Sequence, residues 1–367
     1  MHFHIDRDIG NIISGWVILD NPSDIPEFTI VAAGKSVTTI RANVLRTDLR
    51  DVGLHTTGLV GFEFDEFILP ALSSYDELSL KEATSGIVFY RRSPPSSCNN
   101  LKLIISEVGC VPQVRFKETV KKFLLPYTMV DQYSLETITS IVANHYSSSI
   151  MLAGQLNWLR HGELAREKDF LCVAILRDPF VELAERLLFV RYVKSRAQLS
   201  GRDFLLEYFA PIVPLSERIT LGNTRTLISA FRDCTAEERR VLRSPMTYLF
   251  GATPDEVLQR RNVSIALDNL AQFDVVGVRE KFDVICNLTN ELVGHDVLVD
   301  QSVEMFSETY DLAASLRSIG IIADLLDEDI ALHSYVNEAV DNIIKAQGSA
   351  EGEEASQMAV SKTEDRR

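Results

Sequence analysis

The chain has 367 residues and a formal net charge of −15, an acidity that argues against a general nucleic-acid binder. Its 46% hydrophobic content is that of an ordinary globular protein long enough for two domains, and it contains no run of about twenty apolar residues of the kind that crosses a membrane. Five scattered cysteines (Cys98, Cys110, Cys172, Cys234, Cys286) have no paired spacing and read as reduced thiols rather than a disulfide frame or zinc site. The opening MHFHIDRDIG lacks the basic-then-apolar order of a signal peptide, so a cytoplasmic location is expected.

In chain order, residues 1–92 are β-rich. IISGWVILD (12–20), FTIVAA (28–33) and SVTTIRA (36–42) are short β-branched runs between turn signals, which predicts a small all-β sandwich. Within it Trp16 and Phe62 read as core aromatics and the glycines as turn residues. Residues 93–100, with two prolines and no periodicity, read as a linker. From residue 101 to 347 the pattern alternates strand and helix, as in an α/β domain with a parallel sheet. Lys122–Tyr127 reads as a buried strand, Thr128–Tyr133 as a turn, and Ser134 onward as a helix with Asp131 or Ser134 at its N-cap. Phe170–Leu176 is a second buried strand. Arg177-Asp178-Pro179 interrupts it, and an amphipathic helix follows with Pro179 in its first turn. Helical patterns then dominate, broken by a strand at Phe273–Val278. Residues 348–367 are polar, charged and aperiodic, and disorder is expected there.

Arg177 stands where a strand hands over to a helix. In open α/β sheets that end of the strands forms the ligand crevice, and a guanidinium beside free helix-terminal amides favours an anion. The alternative is an arginine paired with a neighbouring carboxylate. There is no Walker loop, dinucleotide fingerprint, HExxH or GxSxG motif, and His2 and His4 are too thin a signal for a metal site.

Two resemblances add to this reading. Gly15-Trp16, Arg41-Ala42-Asn43 with Arg46, Asp48 and Leu49, Gly58, and Gly61-Phe62 are similar to a small β module appended to bacterial glycosyltransferases and sulfotransferases of surface-polysaccharide synthesis. VAILRDP (173–179), DNLAQFDVVGV (268–278) with the following Glu280-Lys281-Phe282-Asp283, and His161 sixteen residues before Arg177 resemble the carbohydrate sulfotransferases, particularly the 2-O-sulfotransferase branch and its bacterial relatives.

That resemblance implies a P-loop-like parallel sheet flanked by helices, and sulfonate transfer from 3'-phosphoadenosine 5'-phosphosulfate (PAPS) to a hydroxyl. It implies Arg177 on the 3'-phosphate, Ser134 at the 5' end and His161 as the proton-accepting base, with Arg186 near enough to offset a carboxylate. The family's 3'-phosphate serine falls on Glu185, or on Phe189 in a shifted register. Its 5'-loop lysine falls on Met129, and no glycine stands among residues 129–133. Ser244-Pro245-Met246-Thr247 is similar to a further family segment. The resulting expectation is a PAPS-dependent sulfotransferase, without metal, acting on a glycan or glycolipid in bacterial surface-polysaccharide assembly. The alternatives are a catalytically inactive protein of the same fold that binds or scaffolds polysaccharide-assembly enzymes, and a glycosyltransferase-like enzyme.

Overall fold

The computed structural model describes residues 1–92, 99–109, 116–200, 206–207, 209–301 and 304–364. Most of the expected linker, at 93–98, lies outside the described residues. The chain forms two compact units: Met1–Ser106 with Pro112–Cys172 and Val297–Asp300, and Glu107–Val111 with Val173–Asp296 and Gln301–Arg367.

The first unit opens with β1 (His2–Asp8), β2 (Ile12–Ile18), β3 (Glu27–Ala32), β4 (Lys35–Arg41), β5 (Val44–Leu45), the short helix α1 (Thr47–Asp51), β6 (Leu59–Asp65), β7 (Leu78–Glu82) and β8 (Val88–Arg92). They build two antiparallel four-stranded sheets, ordered β1-β2-β6-β5 and β4-β3-β7-β8. Alternating residues turn inward, as period-two patterning requires. Phe28, Phe62, Phe64 and Phe89 form the buried aromatic centre, with Phe28–Phe62 and Phe62–Phe64 ring centroids 4.9 and 5.0 Å apart. Phe62 is thus a core aromatic, whereas Trp16 is only half-buried beside Ile18, Leu49 and Val60. Gly15 and Gly61 lie within β2 and β6, not in turns.

The same unit continues with β9 (Lys102–Glu107), β10 (Leu125–Thr128), α2 (Leu135–Val142), β11 (Ile150–Gly154) and α3 (Trp158–Glu167). β11 pairs in parallel with both β10 and β9. Every residue of β11 is buried, which explains an apolar run without alternation. Tyr127 on β10 donates its hydroxyl to the Val88 carbonyl of β8 at 2.7 Å, tying the sandwich to these parallel strands.

β12 (Leu171–Leu176) begins in the first unit and ends in the second, where it pairs in parallel with β13 (Val275–Val278). Around them stand α4 (Pro179–Ser200), α5 (Val213–Arg218), α6 (Thr224–Arg232), α7 (Ala236–Leu242), α8 (Pro245–Gly251), α9 (Arg261–Leu270), α10 (Phe282–Val293), α11 (Thr309–Arg317), α12 (Gly320–Leu325) and α13 (Asp327–Glu364). The chain is therefore α/β, with antiparallel sheets at its N-terminal end followed by parallel strands and helices. α13 runs through Gly348 into the segment for which disorder is expected.

The stretch that carries the sulfotransferase resemblance most strongly has structural tasks. Asn269 donates its side-chain amide to the Phe250 carbonyl at 2.7 Å. A Cβ on Gly277 would come within 2.4 Å of Ile285 Cγ1 on α10, so only glycine lets that helix lie on β13. Gly277→Ala is expected to destabilise the protein by about 1–3 kcal/mol through overpacking. Chemical denaturation checks this, and an unchanged midpoint would refute the packing role.

Candidate functional site

Asp178 caps α4: its Oδ1 accepts from the Phe180 and Val181 amides at 3.0 and 3.1 Å, and Pro179 occupies the first turn. This arrangement stops β12 at Leu176 and presents Arg177 at the strand's carboxyl end. The guanidinium is sealed in carboxylates. Nη1 pairs with Glu185 and lies 3.8 Å from Glu182, while Nη2 donates to both oxygens of Glu304 at 2.9 and 3.2 Å. The Arg177 side chain is 5% exposed, and Glu304 at 35% is its one partly solvated partner in this set. Burial opposes the charge, but Glu182, Glu185 and Glu304 outweigh it and raise the Arg177 pKa.

Glu182, Glu185 and Arg186 stand at i, i+3 and i+4 on α4 and so share one helix face. Arg186 is buried, with Nη2 3.5 Å from Glu182 and 3.4 Å from the Val108 carbonyl. A further buried pair, Arg279–Glu107 at 3.1 Å, stands beside this cluster. The cavity bounded by Glu107, Glu182, Arg177 and Arg279 has a volume of about 10 Å³, space for one water at most. The described residues enclose no room for a phosphate there.

The other two expected site residues lie in the first unit. Between β10 and α2 the chain turns through Met129, whose φ of 55° is left-handed, and a 3₁₀ turn at Val130–Gln132. The Gln132 and Tyr133 amides bond back to the Met129 and Val130 carbonyls at 3.0 Å each, and the Thr137 amide donates to Ser134 Oγ at 3.3 Å. Ser134 is the N-cap, not Asp131. Its hydroxyl also donates to Asp20 at 2.8 Å and accepts from the Met1 ammonium at 3.0 Å. Two of the backbone amides that a 5'-phosphate cradle would draw on, those of Gln132 and Tyr133, are thus occupied by the turn itself. The glycine missing from the turn stands on the neighbouring strand: a Cβ on Gly154 would meet the Val130 nitrogen at 3.0 Å.

His161 lies on the inward face of α3 with Trp158, Gly162 and Ala165. It is 3% exposed, and its ring makes no hydrogen bond among the described residues. Burial, helped by the Arg160 charge, lowers its pKa from 6.5 to about 4. The imidazole is neutral at pH 7 but far less basic than the near-neutral pKa that suits a general base. Arg177 and Arg186 are therefore brought together around Glu182. Ser134 and His161 serve separately as a helix cap and as part of a buried helix face.

Glu304, Glu107 and Arg279 completed the charge cluster without any signal in the sequence, because each comes from a distant element. Glu182 had one: it shares a helix face with Glu185. Among the described residues no group of three or more His, Cys, Asp or Glu is placed to hold a metal ion, and no helix is long and apolar enough to cross a membrane. No family model matches the chain, and no curated protein is significantly similar to it.

Two outcomes follow from this geometry. Arg177→Met, which leaves Glu182 and Glu185 buried without their cation, is expected to cost about 3–5 kcal/mol. The double change Arg177→Met/Glu185→Leu should recover part of that loss in denaturant melts, and failure of the second change to recover any would exclude Glu185 as the partner. For His161, the folded pKa lies below the unfolded one, so the unfolded state binds more protons between the two. Stability is then unaffected above pH 6.5 and falls by about 2–3 kcal/mol as the pH drops toward 4. An NMR titration of His161 that shows a midpoint near 6.5 would contradict this.

Proposed function

We propose that the chain is a sulfotransferase-like α/β protein whose donor-anion site is satisfied from within. In this reading it binds a glycan or glycolipid in bacterial surface-polysaccharide assembly without transferring sulfonate. The carrying observation is the closure of Arg177 by Glu182, Glu185 and Glu304 around a cavity of about 10 Å³. The position that aligns with the family's phosphate-binding serine, Glu185, supplies a carboxylate to the arginine instead. Electrostatics makes the exchange self-consistent: a glutamate eight residues on replaces the charge an incoming phosphate would bring. The engaged Gln132 and Tyr133 amides and the weakly basic His161 support the same reading. The glycan assignment and polysaccharide enzymes as partners rest on the resemblance of the β module and the α/β domain to those families, and a cytoplasmic location rests on the unpaired cysteines and the N-terminal pattern.

Titration of the wild-type protein with 3'-phosphoadenosine 5'-phosphate tests this. Neither heat nor a shift in melting temperature is expected at millimolar ligand. Saturable binding, or radiolabelled sulfonate transfer from PAPS to a polysaccharide fraction, would restore the enzyme reading.

A further inference from the structure

The N-terminal strand builds a second concave surface in the first unit, away from any residue assigned a role above. β1 is the edge strand of its sheet, and His2 and His4 project from one face of it. His4 pairs directly across the ladder with Trp16 on β2, and the two rings are nearly parallel, at 14°, with centroids 6.0 Å apart. Opposite them α2 contributes Ser140 from its last turn, and the segment just beyond it contributes Asn144 and His145, whose ring centroid is 4.6 Å from that of His4. The pocket between these walls has a volume of about 240 Å³.

Its chemistry is specific in two respects. Rings form much of the wall, so a ligand must offer an apolar face, while hydroxyl, amide and imidazole groups stand at the margins to meet polar substituents. Ser140 Oγ lies 3.3 Å from His2 Nδ1, and the exposed His145 ring has no hydrogen bond among the described residues. No Asp, Glu, Lys or Arg is among the described residues that line the pocket. His2 is held below the usual imidazole range by burial and the Met1 ammonium, and His4 by burial and the neighbouring His145. The charged groups acting on these two are Asp20 and Glu136 for His2, and Asp6 and Arg46 for His4. A neutral ligand therefore suits the pocket better than an anion. Size narrows the choice further: about 240 Å³ is below the roughly 300 Å³ at which sites for drug-sized ligands start and matches a single substituted six-membered ring.

We infer that the His4–Trp16–His145 pocket is a binding subsite for one neutral pyranose unit of a glycan. One CH-rich face of the sugar lies against the ring-lined wall, and its hydroxyls hydrogen-bond to His145 and Ser140. The inference rests on the glycan-binding part of the proposed function and is independent of the state of Arg177.

The test titrates the full chain with methyl α-glucopyranoside, methyl α-galactopyranoside and N-acetylglucosamine, following the His and Trp side-chain resonances by NMR, with cyclohexanol as a ring of similar size that lacks the hydroxyl set. At least one sugar is expected to shift His4, His145 and Trp16 saturably and more strongly than cyclohexanol does. Exposed His145→Ala should weaken that binding about tenfold, the loss of roughly one hydrogen bond, with an unchanged melting temperature. Ser140→Ala should weaken it in the same sense, and Glu304→Gln should leave it unaltered. The inference is overturned if none of the sugars shifts these resonances, if cyclohexanol shifts them equally, or if His145→Ala binds as the wild type does. Sugar binding together with binding of 3'-phosphoadenosine 5'-phosphate would leave the subsite standing and remove the sealed donor site. Absence of both would do the reverse.

Discussion

The interaction on which the second unit depends is the pairing of Arg177 with glutamates from its own fold. A guanidinium at the end of a buried strand has lost most of its hydration, and an ion in that position is tolerated only if its charge is returned by partners in good geometry. Glu182 and Glu185 provide this from α4, the helix that Arg177 itself precedes. Glu304 provides it from a segment 127 residues further on. The arginine thereby fixes the start of α4 against the strand and anchors the residue-304 segment to the same point. Replacing such a cluster with apolar residues of similar volume is often neutral for stability, whereas deleting one member is not. The cluster is better understood as a lock on the arrangement than as a source of net stability.

That lock has a direct bearing on ligand chemistry. An arginine recognises phosphate or sulfate through vacant N–H donors aimed at a space the anion can enter. Here Nη1 and Nη2 already face carboxylates, and the adjoining space holds about 10 Å³. A ligand would have to displace Glu304 and then sit beside Glu182 and Glu185, two further negative charges at close range. The cost is electrostatic as well as steric. It does not depend on how well the ligand's remaining atoms fit elsewhere.

The sequence was most informative where a local rule dominates. The strand at 171–176, the Asp178-Pro179 helix start, Ser134 as a cap and the alternating strands of the sandwich all follow from patterns within about ten residues, and each appears in the structure. The charge cluster was legible only in part. Glu185 was visible as a carboxylate eight residues after Arg177, but set against an assumed phosphate it read as repulsive. With the phosphate set aside, the same spacing describes an ion pair. Glu304 and the Arg279–Glu107 pair could not be found, because long-range charge pairing leaves no periodic trace. The β10–α2 turn misled for a related reason. The lack of glycine was read within the turn, while the close approach is permitted by Gly154 on the adjacent strand, and Met129 itself takes the left-handed conformation.

The Arg177 cluster and the β1 pocket thus handle polar groups in opposite ways. In the cluster, charges are buried and matched one to another by partners from the chain itself. In the pocket, the imidazoles of the edge strand are partly open to solvent, shifted toward neutrality, and set among rings. Recognition needs groups whose hydrogen-bonding capacity is unfilled in the free protein and whose desolvation on binding is inexpensive. The exposed His145 imidazole, without a hydrogen bond among the described residues, meets both conditions, and a sealed guanidinium meets neither. On that physical ground, the capacity of this protein to bind lies with His4, Trp16 and His145, at a place where the resemblance to sulfotransferases assigns nothing. The residues that gave rise to that resemblance are the ones most fully occupied in holding the fold.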